Sequence, residues 1–394
     1  MRRAVIGALA VLLVAPACEK SETSTTPEPV EQADTATDEA DAEADAAAAA
    51  EAEAKAKEEA EKAAAEKRMA ERYASLDAAV AAEQARWTDE MRAEAKKLAE
   101  TKYKDTKKAL KKILAGSHRA PGNAERDQYR HPAETLAFFG IKPTMTVVEV
   151  GPGAGWYTEL LAPLLAAKGK LVIDSPDPNG DRMVGSTFYG VRIKAKLDSS
   201  PELYGKVEPH YGSESKPFDI GEAGSADAVL IIRGLHGNAR SGSLGDKLAV
   251  VHETLKPGGT LGIVQHRAAE GADPMESAKA GYLPQAWLIE QVEAAGFKLE
   301  ETSEVNANAN DTRDYPEGVW TLPPGLALGD KDKDKYVAIG ESDRMTLRFK
   351  KIPKQAAEGK AGAEENKAAA KDKAEAAGDK GKDKDKDKDK AKAE

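Results

Sequence analysis

Segments with the patterns of strands and helices alternate along the middle of the chain, and this alternation restricts the possible folds more than any other feature. Strands are predicted, from their length and aliphatic content, at 145–150, 170–176, 207–211, 226–234 and 260–266. Helices are predicted to begin near His131 and to cover 156–169, 246–259 and 283–296. Strands connected by helices form a parallel sheet with helices on both faces, so the alternation predicts an α/β domain.

The last two strand-like segments break this alternation. Residues 297–305 and 344–352 both have strand patterns, and no helix is predicted between them. This predicts an antiparallel strand at the sheet edge. The expected fold is therefore a Rossmann-like, doubly wound and mostly parallel sheet with an antiparallel edge strand, preceded by a helical stalk and flanked by disordered tails.

A glycine turn follows the first predicted strand in VVEVGPGAGWYTELL, residues 147 to 161. Gly151, Gly153 and Gly155 are separated by single residues and come after the acid Glu149. A turn at the carboxyl end of such a strand lies in the crevice where ligands bind. Glycine allows a backbone to approach a ligand closely, and the start of the next helix offers free N–H groups to an anion. The turn is therefore a candidate cofactor site.

The glycine spacing separates two classes of cofactor. Dinucleotide-binding proteins use G-x-G-x-x-G, which would place the third glycine at position 156, where Trp156 stands instead. The observed E-x-G-x-G-x-G resembles class I S-adenosylmethionine-dependent methyltransferases, whose turn cradles the methionyl part of the cofactor. In that family an acid at the end of the second strand binds the ribose, and Asp174 stands at that position. The turn LKPGG, residues 255–259, also matches the family.

The resemblance is closer to a group of bacterial predicted methyltransferases. The matching phrases lie at 126–143, 147–159, 255–268 and 343–349, and the likeness covers about 103–351. It implies S-adenosylmethionine as cofactor. The residues that it assigns to cofactor binding are Glu149, Gly151, Gly153, Gly155 and Asp174. Trp156 and Tyr157 are further candidates because of their position beside the crevice. Glu149 would organise the turn through backbone hydrogen bonds or simply cap it, and the two aromatic residues would line the crevice or pack beneath the sheet edge.

Two histidines at strand ends are candidate catalytic residues. His236 follows VLIIRGL, and His266 follows TLGIVQ with Arg267 beside it. A histidine of near-neutral pKa can accept a proton from an attacking oxygen or nitrogen, whereas a structural role at the strand ends is the alternative. The polar segment 126–131 is either a helix start with surface ion pairs or a cationic lid for an acidic substrate. No spacing of His, Asp or Glu matches a metal site.

Composition divides the chain into five parts. The two ends are low in apolar residues and cannot form a core. From position 69 a sparse apolar stripe follows a heptad until a slip after Trp87, which predicts a helical stalk. The predicted parts are a signal peptide at 1–17, a linker at 18–68, a stalk at 69–102, a methyltransferase-like domain at 103–353 and a disordered tail at 354–394. The net charge of −10, without a basic stripe carrying aromatics, argues against a nucleic-acid partner.

The N-terminus has the pattern of a secretory signal. A short cationic start and an apolar run precede Cys18, the only cysteine in the chain. VAPAC resembles the lipobox of bacterial lipoproteins, although Ala15 replaces the usual leucine and Pro16 is atypical. Lipidation of Cys18 would place the protein in the bacterial cell envelope, held at a membrane by its anchor. The alternative is an ordinary or uncleaved signal with an incidental cysteine.

Two functions remain open from the sequence. One is S-adenosylmethionine-dependent methyl transfer to an unidentified acceptor by in-line displacement. The other is a non-catalytic envelope lipoprotein that uses a methyltransferase-like fold as a binding or scaffold module. The export signal favours the second function because S-adenosylmethionine is a cytoplasmic compound. The joint presence of Glu149, the glycines and Asp174 favours the first.

Overall fold

The computed structural model describes residues 35–212 and 218–352, with side chains from residue 47 onward. The signal peptide, the lipidation site Cys18, the first part of the linker and the tail at 354–394 lie outside the described residues. The chain divides into two compact units, Met1–Ala65 and Glu66–Glu394. In the first unit the structure describes part of helix α1 (Thr35–Ala85), where the side chains of 47–64 are exposed. Its alanine, glutamate and lysine residues favour a helix without a core.

In the described part of the second unit, seven strands form one sheet. They are β1 (Thr146–Val150), β2 (Lys170–Pro176), β3 (Val207–Gly212), β4 (Ala226–Ile232), β5 (Leu255–His266), β6 (Phe297–Ser303) and β7 (Arg344–Lys351). Their order across the sheet is β3-β2-β1-β4-β5-β7-β6. The first five strands pair in parallel, and the chain reverses its winding direction between β1 and β4. The crevice for a ligand in such a sheet lies at this reversal.

Within 35–212 and 218–352, twelve further α-helices connect or cover the strands. They are α2 (Asp89–Glu100), α3 (Thr106–Leu114), α4 (Asp127–Arg130), α5 (Pro132–Phe138), α6 (Thr158–Leu165), α7 (Thr187–Ser199), α8 (Pro201–Tyr204), α9 (Leu235–Ser241), α10 (Leu244–Thr254), α11 (Pro274–Lys279), α12 (Gln285–Ala294) and α13 (Lys333–Ile339). None of the helices in the described ranges has the length and apolar content that a membrane span requires.

The predicted fold class is confirmed. Strand residues alternate between two cores: Val147, Ile173 and Leu230 pack on one face of the sheet, and Val148 and Ile263 pack on the other. Both faces are therefore covered by helices, as a doubly wound sheet requires. The antiparallel pairing lies at the predicted edge, where β7 runs between β5 and β6 in the opposite direction to both. The short helix α13 precedes β7, in a stretch for which no helix was predicted.

Residues 69–102 lie in the second compact unit, Glu66–Glu394. Helix α1 ends at Ala85, and a new helix, α2, begins after Thr88, whose hydroxyl accepts a hydrogen bond from the Met91 N–H. This break accounts for the slip in the heptad after Trp87. Trp87, Ala95 and Leu98 are buried in the core shared with the sheet. Part of the apolar stripe therefore packs on the core of the same chain.

Candidate functional site

The glycine turn lies between β1 and α6, and each of its three glycines has a left-handed backbone conformation. Gly151, Gly153 and Gly155 have φ values of 62°, 61° and 74°. A Cβ atom added at Gly151 or Gly153 would meet nothing within 4 Å, whereas one at Gly155 would lie 2.6 Å from a side-chain carbon of Lys196. Gly155 therefore allows α7 to pack closely. Gly151 and Gly153 leave open space in front of the backbone, where a ligand can approach.

Asp174 is joined directly to this turn. It is paired with Val150 across β2 and β1, and its carbonyl oxygen accepts a hydrogen bond from the Gly151 N–H at 3.2 Å. Its carboxylate lies 3.9 Å from Nζ of Lys247, a residue of α10. Burial raises the pKa of Asp174 to about 6, and the positive charge of Lys247 opposes that shift. The structure thus brings the predicted acid and the glycine turn together, and it adds Lys247 as a neighbour.

The Glu149 carboxylate contacts the start of α6 rather than the backbone of the turn. The side chain is buried, and its Oε2 accepts a hydrogen bond from the Thr158 hydroxyl at 2.7 Å. No hydrogen bond from a turn N–H to this carboxylate is found among the described residues. Burial raises the pKa of Glu149 to about 7, because a charge is poorly solvated inside the core. Glu149 therefore fixes the start of α6 against β1 through a side chain.

Trp156 and Tyr157 both lie in the core. Of the two roles considered for them, lining the crevice or packing beneath the sheet edge, this position favours packing. Each is 4% exposed, and their ring centroids are 4.8 Å apart. The indole N–H of Trp156 donates to the Asn123 carbonyl at 3.1 Å, and the Arg130 guanidinium lies 4.7 Å from the indole ring centroid. The segment before α4 thus covers Trp156. Burial raises the pKa of Tyr157 to about 12, so its phenol stays protonated at neutral pH.

His236 and His266 are neighbours at the carboxyl ends of β4 and β5, with ring centroids 6.3 Å apart. His266 Nδ1 is hydrogen-bonded to the Ser342 hydroxyl, and His236 lies beside Trp320, an exposed aromatic residue. Burial lowers the pKa of His236 to about 4 and lowers that of His266 well below its ordinary value. Both imidazoles are therefore neutral at pH 7 and can accept a proton. Nδ1 of His236 is buried and has no hydrogen-bond partner among the described residues.

A group of arginines surrounds one carboxylate at the same end of the sheet. Glu341 lies 2.8 Å from Nε of Arg126 and 2.9 Å from nitrogens of both Arg130 and Arg344. The Arg130 and Arg344 pairs are almost completely buried, so segment 126–131 forms buried ion pairs rather than the expected surface pairs. Arg233, directly after β4, has a φ of 63°, a backbone conformation that residues other than glycine rarely adopt.

Sequence reasoning missed several of these residues. Arg344 lies within one of the phrases that carry the resemblance, at 343–349, so a signal for it was present. Lys247, Arg233 and Glu341 carried no such signal, because their neighbours come from distant parts of the chain. Arg267, which follows His266 in the chain, forms ion pairs with Asp343 and Glu304. No cluster of three or more His, Cys, Asp or Glu residues suited to a metal occurs within 35–212 and 218–352.

Comparisons with known proteins gave matches among solved structures. No family model matches the chain, and no curated protein sequence matches it. A SAM-dependent methyltransferase from Aquifex aeolicus is 20% identical, with a TM-score of 0.38 over 64% of this chain and 100% of that one. The cyclase SpnF is 18% identical, with a TM-score of 0.39 over 57% and 81%. A geranyl diphosphate methyltransferase in complex with SAM is 12% identical, with a TM-score of 0.37 over 61% and 95%. Such low identities and TM-scores do not establish an activity.

Proposed function

We propose that the chain binds S-adenosylmethionine at the glycine turn and transfers its methyl group to an acceptor. One observation carries the proposal: the open space before Gly151 and Gly153 adjoins Asp174, which is hydrogen-bonded to the turn through its carbonyl. The N–H groups of the turn suit the cofactor carboxylate, and the Asp174 carboxylate suits the ribose hydroxyls. The residues present therefore fit this cofactor.

The chain's own residues have two tasks in this reaction. When bound, the cofactor supplies an electrophilic methyl carbon on a sulfonium. The glycine turn and Asp174 fix its position, and alignment of two reactants can contribute about 7 to 11 kcal/mol to catalysis. His236 and His266, neutral at pH 7, would accept the proton that the acceptor loses on methylation. Because the pKa of His236 is only about 4, it is a weak base and suits an acceptor that is itself acidic.

The proposal is tested by calorimetric titration of the full-length chain with S-adenosylmethionine and S-adenosylhomocysteine. We expect Gly153→Val to weaken both ligands at least about 100-fold, or ~2.7 kcal/mol, because the new side chain fills the ligand space. Gly122→Val is the matched control: Gly122 also has a positive φ and open space, but it lies outside the turn. Its affinity should stay within about twofold of wild type, and circular dichroism should show both variants folded.

Two outcomes would contradict this proposal. Equal losses in the Gly153 and Gly122 variants would show that backbone strain, rather than occupation of the ligand space, weakens binding. If wild type releases no heat with either compound at about 1 mM, the chain does not bind this cofactor and the assignment is wrong. The non-catalytic module would then be the better account of the fold.

We also propose that the protein is an envelope lipoprotein anchored through Cys18. The support is the cationic start, the apolar run and the single cysteine that follows it. Labelling of bacterial cells with radioactive palmitate should mark the wild-type chain and leave Cys18→Ser unmarked. Equal labelling of both, or of neither, would overturn the anchor without affecting the cofactor proposal.

A further inference from the structure

The arginines around Glu341 carry more positive charge than their neighbours balance. We call this group the arginine cluster, and its members are Arg126, Arg130, Arg233 and Arg344. Three of the four contact the single carboxylate of Glu341 within 3 Å. A cluster of like charges around one carboxylate is costly to bury unless a further negative group is supplied.

The other carboxylates nearby are occupied by different partners. Asp127 pairs with Arg119 at 2.9 Å. Asp343, which adjoins Arg344 in the chain, is shared by Arg267 and Arg313. Among the described residues, Glu341 alone forms ion pairs with members of the arginine cluster. The cluster therefore has an excess of positive charge, and this excess lies beside the proposed reaction site.

Two members of the arginine cluster hold donors that lack acceptors. Arg130 is 1% exposed, and its two terminal nitrogens are buried without hydrogen-bond partners in the described part of the chain. The face of Trp156 lies against this guanidinium but offers its N–H groups no oxygen. Nε of Arg233 is likewise buried and unpartnered among the described residues. Buried guanidinium donors without acceptors are rare in folded proteins, so these donors call for an oxygen that the described chain does not supply, from an ordered water or a ligand.

The position of Arg233 connects these donors with the proposed chemistry. Arg233 ends β4 three residues before His236, and its left-handed backbone is a strained conformation of the kind that accumulates at functional sites. Burial lowers its pKa to about 10, and Glu341 opposes that shift, so the two groups act on each other electrostatically. The Arg126 side chain is 22% exposed, so at least one member of the arginine cluster is accessible to solvent.

We infer that the arginine cluster binds an oxyanion, a carboxylate or phosphate group, carried by the methyl acceptor. Guanidinium groups match this chemistry because their N–H groups form a planar fork that donates two parallel hydrogen bonds to one oxyanion. Bound there, the oxyanion holds the acceptor at the carboxyl ends of β4 and β5, next to the histidine pair. This inference rests on the proposed methyl transfer for the identity of the ligand, whereas the anion site itself does not.

The experiment is calorimetric titration of the full-length chain with inorganic phosphate and, separately, with succinate. The phosphate and carboxylate arms distinguish the two oxyanions. We expect at least one to bind, and Arg233→Gln to weaken it tenfold or more. Arg233→Lys should recover only part of the loss, because an ammonium keeps the charge and lacks the fork. The matched control is Arg240→Gln, which removes the same charge from an exposed position on α9.

S-adenosylhomocysteine is titrated into the same variants to separate the two proposals. Unchanged cofactor affinity with lost anion affinity in Arg233→Gln supports the inference. If anion binding depends on Arg233 but the protein binds no cofactor, the anion site stands and the proposed methyl transfer is overturned. Absence of binding by both anions to wild type, or equal effects of Arg233→Gln and Arg240→Gln, would overturn the anion site. Melting temperature verifies that each variant is folded.

Discussion

Asp174 shows how one buried carboxylate can link cofactor binding to pH. Its side chain is 14% exposed, and burial raises its pKa to about 6 despite Lys247 at 3.9 Å. A raised pKa means that the carboxyl group becomes protonated as the pH falls through 6. The charged form accepts strong hydrogen bonds from ribose hydroxyls, whereas the neutral form accepts weaker ones. Cofactor affinity should therefore depend on pH in the range where most aspartates remain charged.

We predict that S-adenosylhomocysteine binds wild type about tenfold more weakly at pH 5 than at pH 8, because about one molecule in ten is ionised one pH unit below the pKa of Asp174. Asp174→Asn should bind weakly at both pH values, with little change between them. Calorimetric titration at four pH values from 5 to 8 measures this difference. The same pH dependence in the variant would assign it to another group, such as Glu149, and contradict the role of Asp174.

The residues predictable from sequence were those set by local spacing. Gly151, Gly153 and Asp174 lie within one strand–turn–helix–strand unit, so their positions follow from the order of elements along the chain. The packing of Trp156 could not be decided from sequence, because it depends on the segment near Asn123 that covers it. Glu341 was unpredictable as a partner of Arg126, since the two lie 215 positions apart.

At the scale of elements, the strands were predictable and their order was only partly so. Central strands such as β4 are continuous aliphatic runs, because both faces of the sheet are buried. The reversal of β7 was predicted because no helix pattern was found before it, although the structure has the short helix α13 there. The insertion of β7 between β5 and β6 could not be predicted, because local sequence does not determine which neighbouring strand a strand pairs with.

The packing of helix α2 on the core can be tested by two substitutions on its opposite faces. Leu98 is buried in the core shared with the sheet, whereas Lys96 on the same helix has a side chain that is 63% exposed. We expect Leu98→Ala to lower the free energy of unfolding by about 2 to 4 kcal/mol, since it removes buried methyl groups and leaves a cavity. Lys96→Ala should change it by less than about 0.5 kcal/mol.

Chemical denaturation of the full-length chain measures both variants of α2. A loss in Leu98→Ala no larger than that in Lys96→Ala would mean that α2 is dispensable. The helical stalk predicted from the sequence would then be the better description of residues 69–102. The heptad pattern alone could not decide this, because an apolar stripe packs equally well on another helix or on its own domain.

At the scale of the whole molecule, the fold defines a crevice but not a reaction. A doubly wound sheet binds ligands at the point where its winding reverses, and the glycine turn and Asp174 lie at this point. Many unrelated functions share such folds, so the activity depends on what the crevice holds. The identity of the bound ligand decides between the two functions, because a cytoplasmic cofactor and the proposed envelope location are not readily combined.

The most direct measurement is a crystal structure of the protein grown with S-adenosylhomocysteine. The account predicts the homocysteine part against Gly151 and Gly153, and the ribose hydroxyls within about 3 Å of the Asp174 carboxylate. A crevice that stays empty at saturating ligand, or a ligand bound elsewhere with these residues untouched, would contradict it.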